Sequence, residues 1–429
     1  MPGGARGRLD NNHRIPSPNR ERVQLAYLTR SMNFDFYLSE MWVSDRHGGG
    51  LTLQRILGTD LDRIDCFVQP APFRRANPGD NLFESRSLQL PGWERSEMVR
   101  TLLRRLTCNR LYQTNVLTRV HARKLAAQLS KRFRDKPIIR GLVCPQGLAS
   151  LYCLDALSGF SEIEYATWFM DDHLVRWDGS KWSYRKGVEE LLRRHLSRAR
   201  AIFTISPAMQ SFFSSRFGVE SEVLFGPAEA PGNPVWRRPN PDKTVRLGYF
   251  GGLHPWQTDA LRIVAERVEA LDAVLDIYSA SQWHPSFLKH PGVAFRGPLA
   301  PQEVRATMPS YDAVVLPVSF EPRSRHLSEF NIATKMSDCL SSGTLTLLFA
   351  PPYAVMSRIL QAEKAAVVVA ENSLAALQDA IGRIRAGTGR AEILRAATRY
   401  VERALSPQAM RRVWKRGLSD REIPILPTG

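Results

Sequence analysis

The chain has 429 residues, 43% of them apolar, which is enough for two or three domains that each bury a core. It carries 59 lysines and arginines against 42 acidic residues, and this net charge of +17 favours a polyanionic partner such as nucleic acid, an anionic membrane surface or a phosphorylated substrate. Five cysteines without paired spacing argue against a zinc or redox motif. The N-terminal residues lack the apolar stretch of a secretory signal, and no run is long enough to span a bilayer, so we expect a cytoplasmic protein.

Taken in chain order, short apolar runs recur between helical patterns such as residues 259–271 and 374–386. These runs do not alternate strictly with polar residues, which is typical of strands buried on both faces of parallel α/β sheets. In the first half, strands are predicted at residues 23–28, 64–69, 138–144, 165–170, 201–205 and 222–225. In the second half, they are predicted at residues 245–250, 273–278, 293–295, 313–317, 344–349 and 366–370.

A stretch with five prolines, residues 226–243, separates the two halves and marks a domain boundary. We therefore predict an α/β protein with two doubly wound, Rossmann-like domains of similar size that face each other across a cleft. The predicted segments are a disordered basic tail at residues 1–20, a first domain at 21–226, a linker at 227–243, a second domain at 244–405, and a C-terminal segment at 406–429 whose helix crosses back to the first domain.

The positive charge is concentrated in one segment, residues 95–140. From Arg95 to Arg140 there are 13 basic and 2 acidic residues. Apolar positions interleaved with these cations predict an amphipathic surface that could dock on an anionic membrane, and an ordinary helix with a solvated basic face is the alternative. The apolar positions are Leu111, Leu125, Leu129 and Phe133.

Two groups of glycines follow predicted strands and precede helical patterns. They are Gly48, Gly49 and Gly50, directly after His47, and Gly251 and Gly252. Glycine lets a backbone pass close to a ligand, and the helix N-terminus behind it can hold an anion. A ligand-binding loop and a simple turn both fit these residues.

Residues 334–343 read TKMSDCLSSG and lie between two predicted buried strands. Lys335 falls in the first turn of a short helix, where a cation is locally unfavourable unless an anion such as phosphate binds. Asp338 lies one turn further along, where a carboxylate could accept hydrogen bonds from sugar hydroxyls. A surface lysine and a solvated aspartate are the alternative.

The loop before this helix supplies Arg323 and Arg325. Arginine is well matched to phosphate oxygens, so one or both side chains could clamp a diphosphate beside Lys335, unless the loop is simply solvated.

Asp171 and Asp172 follow the predicted strand 165–170, near the expected cleft. Carboxylates there could hold substrate hydroxyls or serve as an acid and base, and an Asx turn at the strand end is the alternative. No cluster of His, Cys and Asp has the spacing of metal ligands.

Together these motifs resemble those of GT-B fold glycosyltransferases, in particular the large retaining class that uses nucleotide sugars. The resemblance covers residues 22–417. It is carried by HGGG at 47–50, FMDDH at 169–173, ARAIFTISP at 199–207, VLFGPA at 223–228, VRLGYFGGL at 245–253, YDAVVLPVSFE at 311–321 and TKMSDCLSSGTLTLL at 334–348, the last being the most specific.

The chain also departs from this family's pattern. Asp338 stands where the family usually has glutamate, and its partner glutamate is replaced by Phe330, with Glu329 one position away. Residues 253–257 read LHPWQ, without the Arg and Lys that often occur there.

The resemblance implies transfer of a sugar from a nucleotide-diphosphate donor on the second domain to an acceptor hydroxyl on the first, with retention of configuration and without a metal or a cofactor. Lys335, Arg323, Asp171 and Asp172 would then be catalytic. The donor-binding residues would be Gly48, Gly49, Gly50, Gly251, Gly252, Arg325 and Asp338.

The resemblance further implies a carbohydrate or lipid-linked acceptor in bacterial polysaccharide or glycolipid assembly. The basic segment, residues 95–140, suggests that this acceptor lies at the inner face of the cell membrane. No specific nucleic acid is expected, because the chain has no recognition motif or aromatic platform. A sugar-nucleotide epimerase on the same fold, a non-catalytic GT-B scaffold and a nucleic-acid binding protein are the alternatives.

Overall fold

A computed structural model describes residues 33–44, 48–70, 81–88, 115–228, 242 and 244–419. The predicted tail at 1–20, the predicted strand at 23–28, His47, residues 95–114 of the basic segment and most of the linker lie outside the described residues.

The first half of the chain forms a seven-stranded sheet in which every pairing is parallel, in the order β3-β2-β1-β4-β5-β8-β9. Its strands are β1 (Phe36–Leu38), β2 (Cys66–Val68), β3 (Ser87–Leu88), β4 (Ile139–Val143), β5 (Ile163–Phe169), β8 (Ala201–Thr204) and β9 (Glu222–Val223). The strands predicted at 64–69, 138–144, 165–170, 201–205 and 222–225 are confirmed. The interior strand β1 and the two-residue strand β3 were not predicted, and the first strand was expected at 23–28 instead.

The second half forms a six-stranded parallel sheet in the order β12-β11-β10-β13-β14-β15. Its strands are β10 (Val245–Phe250), β11 (Ala273–Tyr278), β12 (Val293–Gly297), β13 (Ala313–Pro317), β14 (Leu345–Phe349) and β15 (Val367–Val369). All six were predicted. They were visible in the sequence because five of them carry apolar runs, and four of these five are almost wholly buried.

Helices cover both sheets, as expected for doubly wound α/β domains. They are α1 (Gly48–Leu57), α2 (Val116–Arg132), α3 (Leu148–Leu157), α4 (Val188–Arg198), α5 (Pro207–Phe217), α6 (Pro255–Ala265), α7 (Pro301–Thr307), α8 (Arg325–Phe330), α9 (Lys335–Ser341), α10 (Val355–Glu363), α11 (Leu374–Ala386), α12 (Arg390–Tyr400) and α13 (Pro407–Leu418). Helix α11 matches its prediction. Helix α6 starts four residues before the predicted 259–271, because Pro255 is well suited to a first helical position.

A short antiparallel hairpin, β6 (Arg176–Trp177) and β7 (Trp182–Ser183), follows β5 and was not predicted. Its Trp182 ring lies 4.7 Å from the ring of Phe330, which belongs to the second half. The hairpin therefore bridges the two halves of the chain.

The basic helix α2 packs its apolar face into the core of the first sheet. Leu125 and Leu129 are fully buried and Phe133 is 6% exposed, all in one cluster with β1 and β4 residues. For Leu125, Leu129 and Phe133 the prediction of an amphipathic docking surface is therefore wrong, because these side chains are already buried, whereas Leu111 lies outside the described residues. The exposed side of α2 carries basic residues, as the alternative held.

Helix α13, at the C-terminal end of the described chain, packs on the first sheet. Trp414 stacks on Phe203 of β8 at 4.8 Å between ring centroids, and it also contacts the Phe34 ring. On the same helix, Arg416 pairs with Glu222 of β9 at 2.7 Å. The first sheet thus depends on residues nearly 200 positions further along the chain.

We expect Trp414→Ala to destabilise the protein by about 3–5 kcal/mol, because the buried indole leaves a large cavity beside Phe203. Urea unfolding followed by far-UV circular dichroism measures this loss. Trp283→Ala is the matched control, since that ring is 53% exposed. Equal stability of the two variants would contradict the packing role of α13.

Candidate functional site

The second sheet has its topological switch point between β10 and β13, which are neighbours in space although the chain leaves them in opposite directions. Ligands of doubly wound sheets bind at the carboxyl ends of such strands. Gly251 and Gly252 follow β10 there, and the loop after β13 leads through α8 to Lys335 at the start of α9.

The Lys335 ammonium lies against the end of β10. Its Nζ donates hydrogen bonds to the Tyr249 hydroxyl at 2.8 Å and to Gln257 Oε1 at 2.7 Å, and it lies 4.1 Å from the centre of the Tyr249 ring. Both partners are uncharged, so burial dominates and lowers the pKa of the ammonium to about 7. A partly buried cation held only by neutral groups is well suited to bind an anion.

The turn at Gly251 allows this close approach. Gly251 has φ of +143°, a conformation that side chains other than glycine rarely adopt, and an added Cβ would lie 3.0 Å from Lys335 Nζ. At Gly252, an added Cβ would lie 2.5 Å from Nε2 of His254. Lys335 and His254 therefore both lie directly against this glycine turn. The sequence prediction brought Gly251, Gly252 and Lys335 into one site, and the structure places them together.

The switch point of the first sheet, between β1 and β4, has the opposite charge. Glu40 follows β1, is 3% exposed, and accepts hydrogen bonds from the backbone of Gln146 at 2.9 Å and of Ser150 at 2.8 Å. The Ser150 hydroxyl also donates to this carboxylate at 2.7 Å. Glu40 thus fills the anion-binding N-terminal end of α3 with the protein's own carboxylate.

Helix α1 begins at the glycines of the first half. Gly48 lies so close to Thr334 that an added Cβ would be 2.1 Å from the Thr334 Oγ1. Gly49 and Gly50 lie against Met41 and the backbone of Ser44 in the same way. These glycines allow α1 to contact the residue that precedes Lys335, so they lie at the candidate site, in the first turn of the helix and not in a loop before it.

Arg55 of α1 also reaches the second half. It donates to Asp338 Oδ1 at 2.8 Å and to the Pro227 carbonyl oxygen at 2.9 Å. The Asp338 side chain, predicted to bind the donor, is 32% exposed and forms this ion pair. One carboxylate of the site is therefore engaged in joining the two halves.

The two aspartates after β5 have different environments. Asp172 is 3% exposed and accepts from the Leu174 and Val175 backbone amides and, at 2.8 Å, from the Tyr184 hydroxyl. It forms the Asx turn that was the alternative interpretation. Asp171 faces the second half instead, where its Oδ1 accepts from Asn331 Nδ2 at 2.6 Å. Burial raises the pKa of both carboxyls.

The Arg325 guanidinium is already engaged by neighbouring side chains. Its guanidinium lies 3.9 Å from the centre of the Trp177 ring and 4.6 Å from that of Tyr353, and it pairs with Glu329 at 2.9 Å. It fastens the β6–β7 hairpin to α8. Arg323 is exposed on the preceding 3-10 turn.

Sequence reasoning missed Tyr249, Gln257, Arg55 and Asn331. Gln257 lies in LHPWQ, which was inspected only for missing cations, and Tyr249 lies in a strand inspected only for its apolar pattern. Arg55 and Asn331 gave no local signal, because their partners are 283 and 160 positions away.

Within the described ranges, no group of three or more His, Cys, Asp or Glu side chains is arranged to hold a metal ion. In the same part of the chain, no helix combines the length and apolar character required to cross a membrane.

We expect Lys335→Met to stabilise the protein by about 2–4 kcal/mol at pH 6, with a gain that shrinks towards pH 9. The unfolded chain keeps the lysine proton up to about pH 10.4, whereas the folded protein releases it near pH 7. Between these values the unfolded state binds more protons, so wild-type stability rises with pH, and the full penalty applies below pH 7. Denaturant unfolding at several pH values measures the difference.

Lys289→Met is the control for this measurement, since Lys289 is exposed and its replacement should give no pH-dependent difference. A stability difference between Lys335→Met and wild type that stays constant from pH 6 to pH 9 would mean that Lys335 is normally ionised throughout.

No family model and no curated protein matches this sequence. Solved structures do match the fold. Anabaena HepE in complex with UDP and glucose aligns with a TM-score of 0.57 at 13% identity, covering 90% of this chain and 100% of that one. Sucrose-phosphate synthase from Thermosynechococcus elongatus aligns at 0.52 and 12% identity, over 72% of this chain and 78% of that one.

A TarM mutant from S. aureus, in complex with fondaparinux, α-GlcNAc-glycerol and UDP, aligns with a TM-score of 0.51 at 13% identity and covers 69% of this chain. This chain spans only 58% of that TarM chain. These structures resemble the chain in architecture, and with its two all-parallel, doubly wound sheets the chain has the GT-B fold.

Proposed function

We propose that this protein is a glycosyltransferase that moves a sugar from a nucleotide-diphosphate donor to an acceptor hydroxyl. The observation that carries the proposal is the Lys335 ammonium, partly buried and held by neutral partners at the switch point of the second sheet, directly against the Gly251 turn. Support also comes from the GT-B fold, since HepE and TarM, which share it, were crystallised with UDP. UDP-sugars are therefore the first donors to test.

The donor diphosphate would lie on the second half, beside Lys335. When the bond to the sugar breaks, negative charge develops on the diphosphate, and a cation already in place stabilises it without reorganisation. Because Lys335 is only partly ionised near pH 7, binding a diphosphate would raise its pKa and draw a proton from solvent. Gly251, Gly252 and His254 line the same turn. In this proposal no metal is needed.

The acceptor hydroxyl would approach from the first half, at Asp171. This carboxylate lies at the carboxyl end of β5 and faces the segment that carries Lys335. It can receive a hydrogen bond or a proton from the hydroxyl as the bond to the sugar forms. Asp172, held by three hydrogen bonds, fixes the loop on which Asp171 lies. Retention of the anomeric configuration stays part of the proposal.

We expect Lys335→Ala to cost about 2–4 kcal/mol of transition-state stabilisation, which is about 30- to 1,000-fold in turnover. The measurement is sugar transfer, or donor hydrolysis where no acceptor is known, across a panel of nucleotide sugars with and without EDTA.

Lys289→Ala serves as the control, because it removes an exposed lysine of the same half. Turnover of a folded Lys335→Ala protein within about threefold of wild type would overturn the role of Lys335. If wild type neither binds nor turns over any donor of the panel, the chain is better explained as a non-catalytic scaffold.

We further propose that exposed cations of α2 attract the protein to an anionic membrane where a lipid-linked acceptor for polysaccharide or glycolipid assembly is found. With the apolar face of α2 buried, charge alone supports this step. Each exposed Lys or Arg near such a surface contributes about 1 kcal/mol at most, and screening over about 8 Å at physiological ionic strength makes the attraction salt-sensitive.

Wild type should therefore sediment with anionic vesicles at low salt but not with neutral ones. Reversal of Arg123, Lys124 and Lys131 to Glu should abolish sedimentation, whereas reversal of three exposed cations elsewhere, Lys289, Arg399 and Lys415, should weaken it far less. Wild type that stays in the supernatant with anionic vesicles at low salt would point to a soluble acceptor.

A further inference from the structure

Asn331 is a buried amide at the contact between the two halves. It lies between α8 and α9, four residues before Lys335, and is 1% exposed. Its Nδ2 donates to Asp171 Oδ1 at 2.6 Å. This single hydrogen bond joins the end of β5 in the first sheet to the segment that carries the candidate diphosphate cation.

The orientation of the amide follows from its partner. An ionised carboxylate only accepts hydrogen bonds, so the nitrogen of Asn331 must face Asp171 and the oxygen must face away. That oxygen is buried and has no hydrogen-bond partner among the described residues. A buried acceptor without a partner costs about 1–3 kcal/mol, so the unpaired oxygen of Asn331 requires an explanation.

A buried polar atom left without a partner in a folded protein is often found where function requires the residue. We propose that Asn331 is a positioning residue for sugar transfer, which holds the Asp171 carboxylate in place to receive the acceptor hydroxyl. This inference rests on the proposed function. It makes the segment from Asn331 to Lys335 responsible for both substrates, since one end orients the acceptor-side carboxylate and the other carries the donor-side cation.

Other charged groups also face Asp171. Asp172 precedes His173 on the same loop, and His173 Nε2 lies 4.0 Å from Asp171 Oδ2. On the facing segment, buried His326 interacts electrostatically with His173 and Arg176. Any titration assigned to Asp171 must therefore be separated from these groups by replacing Asp171 itself.

The first experiment measures stability and requires no substrate. Asn331→Ala and the similarly shaped Asn331→Leu are each made in wild type and in Asp171→Ala, and thermal midpoints are compared from pH 5 to pH 8. The hydrogen bond favours the ionised carboxylate, so losing it should destabilise most at high pH, where Asp171 is charged in both proteins. We expect the Asn331→Ala loss of midpoint to be at least about twofold larger at pH 8 than at pH 5, and independent of pH in Asp171→Ala.

The second experiment measures turnover against pH. Without its amide donor, Asp171 should ionise at a higher pH, since the hydrogen bond favours the charged carboxylate. The acid limb of turnover in Asn331→Ala should move to higher pH and recover there, while KM for the donor stays within about twofold of wild type. Asn81→Ala is the matched control, because Asn81 is a buried amide that binds Ser87 outside the site.

The outcomes separate this inference from the proposed function. Two results together support the inference. The acid limb of turnover moves to higher pH in Asn331→Ala, and the stability loss of Asn331→Ala depends on pH in wild type but not in Asp171→Ala. An active Asn331→Ala enzyme with an unshifted profile, or a loss of turnover that high pH does not recover, overturns it. If wild type transfers no sugar, the proposed function fails and with it the positioning role, yet the stability cycle still reports whether Asn331 and Asp171 interact.

Discussion

The candidate site depends on one unusual interaction, a partly buried lysine ammonium that has no carboxylate among its hydrogen-bond partners. Lys335 is held by a phenol and an amide, so the folded protein bears the cost of its desolvation. The surrounding elements are arranged to maintain this state, with Gly251 in a conformation that lets the backbone come close and Tyr249 also donating to the Gly252 carbonyl oxygen at 2.6 Å. An anion bound beside Lys335 would compensate this desolvation cost.

The same stretch that carries Lys335 also joins the two halves of the chain. Within fourteen residues, Arg325 fastens the β6–β7 hairpin, Phe330 packs on Trp182, Asn331 binds Asp171 and Asp338 binds Arg55. A change in how the halves meet must therefore act on the position of Lys335. In the proposed function, donor binding beside Lys335 would therefore act on the contact between the halves through α8, α9 and the turn between them.

Sequence reasoning found most strands because burial on both faces leaves a continuous apolar run, as in β13 and β14. It failed for β1, whose three apolar residues lie between the polar Asp35 and Ser39. It also failed for the apolar residues of α2, whose pattern fits a core face and a membrane face equally well. At the site it found Lys335 and the Gly251 turn from local context. It could not find the contacts of Arg325 with the Trp177 and Tyr353 rings or the Arg55–Asp338 ion pair, because those contacts join distant segments that only the folded chain brings together.

The two sheets have the same parallel topology but opposite charge at their switch points. In the first, Glu40 occupies the end of α3 and would repel an anionic ligand. In the second, Lys335 carries a positive charge, and no carboxylate among the described residues accepts a hydrogen bond from it. In the proposed function, this difference favours a negatively charged donor on the second half and a neutral acceptor on the first. Ligands of α/β folds of this kind bind at either switch point, so these two side chains would decide which substrate each half takes.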